Sequence, residues 1–178
     1  NYIVVDPAMA DNGKLYTGFD KHFALEMAKL CKKADIILPN ISEASLMLDH
    51  PYPGEDATEA EVKDLLLGLS NLGAKKSVIT GVTFADNTFG FMGYDSETKE
   101  FFSYGTEKVN TKSHGTGDVF ASTFTGALMN DFSVYDALKV AADFTCACIK
   151  NTYNDPDSVN YAVNFEAEIP YLLKSINK

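Results

Sequence analysis

The chain has 178 residues, of which 46% are hydrophobic, a composition that is ordinary for a globular domain. Its formal net charge of −10 argues against nucleic-acid binding, which needs a basic face, and no apolar run approaches the ~20 residues of a membrane-spanning helix. The three cysteines show neither a zinc-binding spacing nor a disulfide pattern, which favours a reducing, cytoplasmic environment.

The chain begins on an apolar run, Tyr2 to Val5, which predicts a strand that is buried on both faces and ends at Asp6. Natural domains rarely begin inside a central strand, because chain termini usually lie at the surface. We therefore expect a single domain over residues 1–178 that belongs to a longer protein, whose N-terminal portion this chain lacks.

Strand and helix patterns alternate along the first half of the chain. In chain order, the predicted elements are a helix over 20–33, a strand over 34–38, a short helix from Ser42, a helix that begins at the capping box of Thr58 and Glu61, and a strand over 77–80. Such alternation is typical of parallel βαβ units with helices on both faces of a sheet.

The second half of the chain predicts a hairpin followed by helices. Two antiparallel strands are expected over 84–94 and 100–104, and helices over 133–151 and after Asn164. Between them, an apolar-periodic helix follows the sequence Gly115-Thr116-Gly117-Asp118 and extends to Met129. The whole pattern indicates an α/β fold.

The turn from Gly115 to Asp118 combines backbone donors with a carboxylate. Two glycines let the amides approach a ligand closely, and the N-terminus of the following helix favours an anion at the same spot. Asp118 could take a proton from an attacking hydroxyl there, so the turn predicts a phosphoryl-transfer site. Taken alone, the same turn is about as often only a turn, with Asp118 interacting with the helix dipole.

Polar side chains also follow three predicted strands at their carboxyl ends, where ligands bind in open α/β sheets. Asp6 and Asp11 follow the first strand, Asn40 and Glu43 the second, and Thr80 ends the third. The oxygens of Asp11, Asn40 and Glu43 suit Mg²⁺, which phosphoryl transfer uses to neutralise charge. Asn40 alone is explained by capping of the helix that Glu43 joins. No Walker-type phosphate loop is present.

Together these residues resemble the ribokinase-like superfamily, and within it the pyridoxal and pyridoxamine kinases. The resemblance is carried by Val4-Val5-Asp6-Pro7, Asp11-Asn12-Gly13-Lys14-Leu15-Tyr16, Pro39-Asn40-Ile41-Ser42-Glu43-Ala44, Val78-Ile79-Thr80 and Gly115-Thr116-Gly117-Asp118. It spans nearly the whole chain, as the C-terminal, nucleotide-binding and catalytic part of such an enzyme. It implies a three-layer α/β/α fold with a largely parallel central sheet.

The resemblance implies ATP- and Mg²⁺-dependent phosphorylation of the 5′-hydroxymethyl group of vitamin B6 (pyridoxal, pyridoxamine or pyridoxine). It also implies a homodimer and allows a monovalent cation such as K⁺. By motif match, Asp118 corresponds to the base, and the amides of Gly115, Thr116 and Gly117 correspond to the anion hole. The remaining matched residues correspond to nucleotide contacts, with Asp11 and Glu43 also near the metal: Asp6, Asp11, Asn40, Glu43, Thr80, Val109 and Ser113.

Three positions depart from the usual family pattern, namely Ala10, Leu38 and Gly81. Leu38 removes a hydroxyl that could contact phosphate, whereas none of the three touches the predicted base or anion hole. The nearest rival is hydroxymethylpyrimidine kinase of thiamine synthesis, which shares the His-Gly-Thr-Gly lead-in but commonly has cysteine where Asp118 stands. A non-catalytic domain that only binds nucleotide is a further alternative.

Overall fold

The structure is a computed structural model that describes residues 2–109, 111, 114–158 and 162–177. The chain divides into two compact units, Asn1–Gly105 and Thr106–Lys178. In the described part of the chain, no helix is both long enough and apolar enough to cross a membrane.

The first unit contains a five-stranded sheet, a small hairpin and helices. Its strands are β1 (Val4–Val5), β2 (Ala10–Asp11), β3 (Lys14–Leu15), β4 (Ile36–Ile37), β5 (Lys76–Thr83), β6 (Thr88–Asp95) and most of β7 (Glu100–Glu107). Its helices are α1 (Lys21–Cys31), α2 (Ile41–Met47) and α3 (Glu59–Leu72). The elements follow the alternation that the sequence predicts, with the additional hairpin of β2 and β3 after the first strand.

The main sheet has the strand order β1-β4-β5-β6-β7. The strands β1, β4 and β5 pair in parallel, with Val4 opposite Ile36 and Ile36 opposite Lys76. The next strand, β6, pairs antiparallel with β5 and continues into β7, as the predicted hairpin over 84–104 requires. The α/β class is therefore confirmed, with the parallel part of the sheet at β1, β4 and β5.

The prediction that the first strand is buried on both faces is wrong. In the described sheet β1 is an edge strand, and just before it the Tyr2 and Ile3 side chains are 59% and 52% exposed. An apolar, β-branched run indicates a strand, but its composition does not say which strands flank it.

The core of the first unit lies between its sheet and its helices. Leu65, Leu66 and Leu69 of α3 are fully buried with Ile37 and Ile79 of the sheet. The predicted capping box begins α3, since Thr58 accepts a hydrogen bond from the N–H of Glu61 and the Glu61 side chain accepts one from the N–H of Thr58. These contacts fix the helices against the strands whose carboxyl ends carry the predicted polar residues.

The second unit is helical, with α4 (Thr116–Leu128), α5 (Val134–Asn154), a 3-10 turn (Glu166–Glu168) and α6 (Ile169–Ile176) among its described residues. Ser133 caps α5 by accepting a hydrogen bond from the N–H of Asp136. Phe144 and Cys148 of α5 pack with Val163 in a small core. Burial raises the pKa of the Cys148 thiol to about 12, in keeping with a packing role.

Candidate functional site

The N-terminus of α2 is held by a reciprocal pair of hydrogen bonds between Asn40 and Glu43. The Oδ1 atom of Asn40 accepts a hydrogen bond from the backbone N–H of Glu43 at 2.9 Å. In return, the Oε2 atom of Glu43 accepts one from the backbone N–H of Asn40 at 2.8 Å. The spacing of the two residues is that of a capping box, so the capping interpretation of Asn40 is confirmed as a structural role.

The same two side chains also hold the segment that follows β1. The Oε1 atom of Glu43 accepts a hydrogen bond from the backbone N–H of Met9 at 3.1 Å. The Nδ2 group of Asn40 donates to the carbonyl oxygen of Ala10 at 2.8 Å. Since Met9 and Ala10 are fully buried, the loop that carries Asp6 is fastened to α2 from inside the fold.

Glu43 is a buried carboxyl group with an altered affinity for protons. It is 3% exposed, and this burial raises its pKa to about 7, although hydrogen bonds from Asn40 and Met9 oppose the shift. The charge of Asp6 adds to the upward shift. Both oxygens of Glu43 already accept backbone hydrogen bonds, so the predicted metal role of this residue remains a prediction, and one that suits contact through a water ligand.

Asp11 lies at the tip of the β2–β3 hairpin. The two turn residues, Asn12 and Gly13, both have positive φ, 50° and 72°, as a type I′ turn requires. The Asp11 carboxylate is exposed and accepts hydrogen bonds from the backbone and the side chain of Asn12, at 2.9 and 2.8 Å. Its lone pairs are not exhausted by these two bonds, so it can still take part in binding a cation.

Thr80 joins this group from β5. Its backbone N–H donates to the carbonyl oxygen of Pro39 at 2.9 Å, and Thr80 forms an isolated parallel bridge with Asn40. The structure thus brings Asp6, Asp11, Asn40, Glu43 and Thr80 to the carboxyl-end side of the parallel strands. Their contacts with a nucleotide remain predictions.

A metal-binding cluster is not preformed in the described residues. No group of three or more His, Cys, Asp or Glu side chains lies close enough together there to hold an ion. Mg²⁺ commonly keeps several waters and is bound by one or two carboxylates together with substrate phosphates, so two carboxylates such as Asp11 and Glu43 fit that chemistry.

In the second unit, the predicted anion hole is the N-terminus of α4. Gly115 is the N-cap residue with a φ of 78°, a left-handed conformation that favours glycine, and among the described residues no side chain caps the helix. A Cβ atom added at Gly115 or Gly117 would meet no described atom within 4 Å. Asp118 is exposed in the first turn of the helix. The first turn of α4 therefore combines amides that no described side chain caps with the carboxylate of Asp118.

The predicted border of the adenine site lies before this turn. Val109 is half-buried, and its carbonyl oxygen accepts a hydrogen bond from the N–H of Thr111 at 2.8 Å. Ser113, the other residue predicted there, lies outside the described residues. Both roles remain predictions.

Two side chains at the first site were not anticipated from the sequence. Ser42 accepts a hydrogen bond from the backbone N–H of Gly13 at 2.8 Å, and the ring of Tyr52 lies against the same glycine. The dipeptide Asn12-Gly13 is itself a strong hairpin signal, so the turn was readable from the sequence. Nothing in the local pattern indicates its contact with Tyr52.

Comparison with protein families gives a match along most of the chain. The profile of the family described as phosphomethylpyrimidine kinase matches residues 1–162. Among curated proteins, a pyridoxine kinase of Bacillus subtilis is 30% identical over 155 residues, which cover 85% of this chain and 55% of that protein. A hydroxymethylpyrimidine/phosphomethylpyrimidine kinase of Aquifex aeolicus is 28% identical over 154 residues, which cover 85% of this chain and 58% of that protein.

Solved structures agree with this match and confirm the ribokinase-like fold. A protein of Bacteroides thetaiotaomicron described as a phosphomethylpyrimidine kinase, solved with pyridoxal, is 34% identical with a TM-score of 0.86. The pyridoxal kinase of Lactobacillus plantarum is 29% identical with a TM-score of 0.82. Each comparison covers 96% of this chain and 60% of the other. The chain spans little more than half the length of these two curated relatives.

Proposed function

Since the chain belongs to the phosphomethylpyrimidine kinase family, we propose that it is the nucleotide-binding and catalytic part of an ATP-dependent kinase. The acceptor in this proposal is the hydroxymethyl group of a small heterocyclic compound, and the favoured acceptor is vitamin B6. We place the reaction in the cytoplasm, in keeping with cysteines that are all free thiols.

The observation that carries the proposal is the open N-terminus of α4. No described side chain caps its first-turn amides, no described atom lies within 4 Å of a Cβ added at Gly115, and Asp118 stands in the same turn. Helix N-terminal amides bind phosphate oxygens, and a nearby carboxylate can accept the proton of an alcohol. Gly117 has no packing reason in the described unit to be glycine, which suits close approach by a phosphoryl group.

The proposed chemistry is a direct transfer. The acceptor hydroxyl oxygen attacks the γ-phosphorus of ATP, its proton passes to a carboxylate oxygen of Asp118, and the bond to the β,γ-bridging oxygen breaks to release ADP. The amides of Gly115, Thr116 and Gly117 stabilise the charge on the transferred group. Mg²⁺, when bound, neutralises charge on the ATP phosphates.

On the motif match, we assign nucleotide and cation contacts to residues of each unit separately. In the first unit these are Asp6, Asp11, Asn40, Glu43 and Thr80, and in the second they are Val109 and Ser113. The donor chemistry of the described members fits the assignment, because carboxylate and amide oxygens suit Mg²⁺ and its water ligands, whereas a threonine hydroxyl suits phosphate.

The choice of acceptor rests on two sequence features and one relative. Asp118 stands where hydroxymethylpyrimidine kinases commonly have cysteine, and the run from Asp11 to Tyr16 fits the B6 kinases better. The Bacteroides relative was solved with pyridoxal. The family description and the Aquifex relative favour the second candidate, phosphorylation of hydroxymethylpyrimidine.

A competition between acceptors tests the proposal. Purified full-length protein with Mg·ATP is offered pyridoxal, pyridoxamine, pyridoxine and hydroxymethylpyrimidine, and ADP release is measured for each. We expect a higher kcat/KM for at least one B6 compound than for the pyrimidine. Faster turnover of the pyrimidine would reassign the substrate, and no ADP release with any acceptor would support a non-catalytic nucleotide-binding protein.

A further inference from the structure

The β2–β3 hairpin is fastened to α2 at its tip as well as at its base. At the base, the Nδ2 group of Asn40 donates a hydrogen bond to the carbonyl oxygen of Ala10. At the tip, the Oγ atom of Ser42 accepts a hydrogen bond from the backbone N–H of Gly13 at 2.8 Å, and Ser42 is almost fully buried. A two-stranded hairpin of this size is not stable by itself in water, so these contacts decide where its exposed residue Asp11 lies.

Tyr52 closes the tip from the other side. A Cβ atom at residue 13 would lie 2.6 Å from the Cδ1 atom of Tyr52 and 3.0 Å from its Cγ atom, so the ring packs directly on the glycine backbone. Burial raises the pKa of the Tyr52 hydroxyl, and the Ser42 side chain opposes this shift. The Asn12-Gly13 turn is therefore held between one hydroxyl of α2 and one aromatic ring.

We propose that Ser42 and Tyr52 are positioning residues that fix the Asn12-Gly13 turn against α2 and thereby hold Asp11 where it serves a Mg²⁺-bound nucleotide. The inference rests on the proposed function, which assigns Asp11 to the binding of the nucleotide and its cation. It assigns no contact with the nucleotide to Ser42 or Tyr52, which act through the backbone of the hairpin.

The key variant is Ser42→Ala, which removes the acceptor of the Gly13 N–H and leaves the helix otherwise unchanged. Calorimetric titration with ADP, in Mg²⁺ and again in EDTA, measures the result in the full-length protein. We expect Ser42→Ala to weaken Mg·ADP binding about tenfold, as the loss of a buried hydrogen bond allows, and to leave ADP binding in EDTA unchanged.

Ser45→Ala is the matched control. Ser45 lies on the same helix and is as deeply buried, but its hydroxyl donates to the carbonyl oxygen of Ile41 inside α2. A loss that came only from destabilising α2 would therefore appear in both variants. We expect Ser45→Ala to bind Mg·ADP like the wild type.

A double-mutant cycle shows whether Ser42 acts through Asp11. We expect Asp11→Asn to weaken Mg·ADP binding and the added Ser42→Ala change to weaken it less than about twofold further. Equal losses in Ser42→Ala and Ser45→Ala, or full additivity of Ser42→Ala with Asp11→Asn, would overturn the proposal.

Tyr52 gives a second route should Ser42→Ala fail to fold. Tyr52→Phe keeps the ring on Gly13, whereas Tyr52→Ala removes it, so we expect the alanine variant to lose more Mg·ADP affinity than the phenylalanine variant. Equal affinity in these two variants would contradict the positioning role of the ring. Wild-type protein that binds Mg·ADP but phosphorylates no acceptor would refute the proposed kinase activity alone, whereas a wild type that binds no Mg·ADP would refute both proposals.

Discussion

The buried carboxyl group of Glu43 makes the stability of the fold depend on pH in a defined way. Burial raises the pKa of Glu43 from 4.5 to about 7, so the folded protein binds this proton more tightly than the unfolded chain. Between these values the folded state carries more protons, and the free energy of unfolding falls as pH rises. Glu43→Gln removes the titrating group and should remove this part of the pH dependence.

The magnitude follows from the two pKa values. With a pKa of 4.5 in the unfolded chain and about 7 in the folded protein, proton linkage lowers the free energy of unfolding by about 2.5 kcal/mol between about pH 5 and pH 8. Glutamine cannot accept both the Met9 and Asn40 N–H groups, because one of its two terminal groups is itself a donor. Glu43→Gln therefore also carries an offset of about 1–3 kcal/mol that does not vary with pH.

Urea unfolding of the wild type and Glu43→Gln, at several pH values and in EDTA to remove metal, measures the difference directly. We expect the wild type to lose stability relative to the variant as pH rises from 5 to 8, by the amount given above. A difference that stays constant across this range would refute the raised pKa of Glu43.

Glu61→Gln is the matched control, because Glu61 occupies the same capping-box position in α3 but is exposed. Hydrogen bonds from Thr58 hold the pKa of Glu61 below its usual value of 4.5, so its contribution is complete above that value and is lost only as pH falls further. The difference between wild type and Glu61→Gln should accordingly be flat between pH 5 and 8.

Two further predictions concern catalysis and capping. Asp118→Asn should lower kcat by about 10²- to 10⁴-fold with Mg·ADP affinity retained, and steady-state kinetics with calorimetry would check it; an unchanged kcat would remove Asp118 from the role of base. Asn40→Ala and Thr58→Ala each remove an N-cap side chain, and each should lower the free energy of unfolding in urea by about 1 kcal/mol. Only Asn40→Ala should also weaken Mg·ADP binding. Equal Mg·ADP binding by both variants would argue against a nucleotide role for Asn40.

The residues at the sheet edge could be predicted because each one follows a strand that the sequence marks clearly. Asp6 and Asn40 come directly after apolar runs, and parallel strands bring their carboxyl ends to one side. The capping box of Asn40 and Glu43 is equally local, since it depends on a spacing of three residues. Local signals of this kind predicted the architecture and the placement of these side chains at one side of the sheet.

The remaining features depend on contacts between distant parts of the chain. The burial of Glu43 arises from Met9 and the surrounding core, and no sequence pattern near residue 43 indicates that burial. The packing of Tyr52 on Gly13 joins a loop to a hairpin turn, which no periodicity encodes. The edge position of the first strand and the exposure of Tyr2 and Ile3 before it were missed for the same reason, because neighbours in a sheet are a tertiary property.

The cap of α2 also makes local opening cooperative, because side chains of one helix turn accept hydrogen bonds from separate segments of the chain. The amides of Met9 and Gly13 are bonded to Glu43 and Ser42, and those of Asn40 and Glu43 to one another's side chains. Opening this turn releases all four amides at once, so they form one cooperative unit in native-state hydrogen exchange. The four amides should therefore become accessible to deuterium with a common opening free energy.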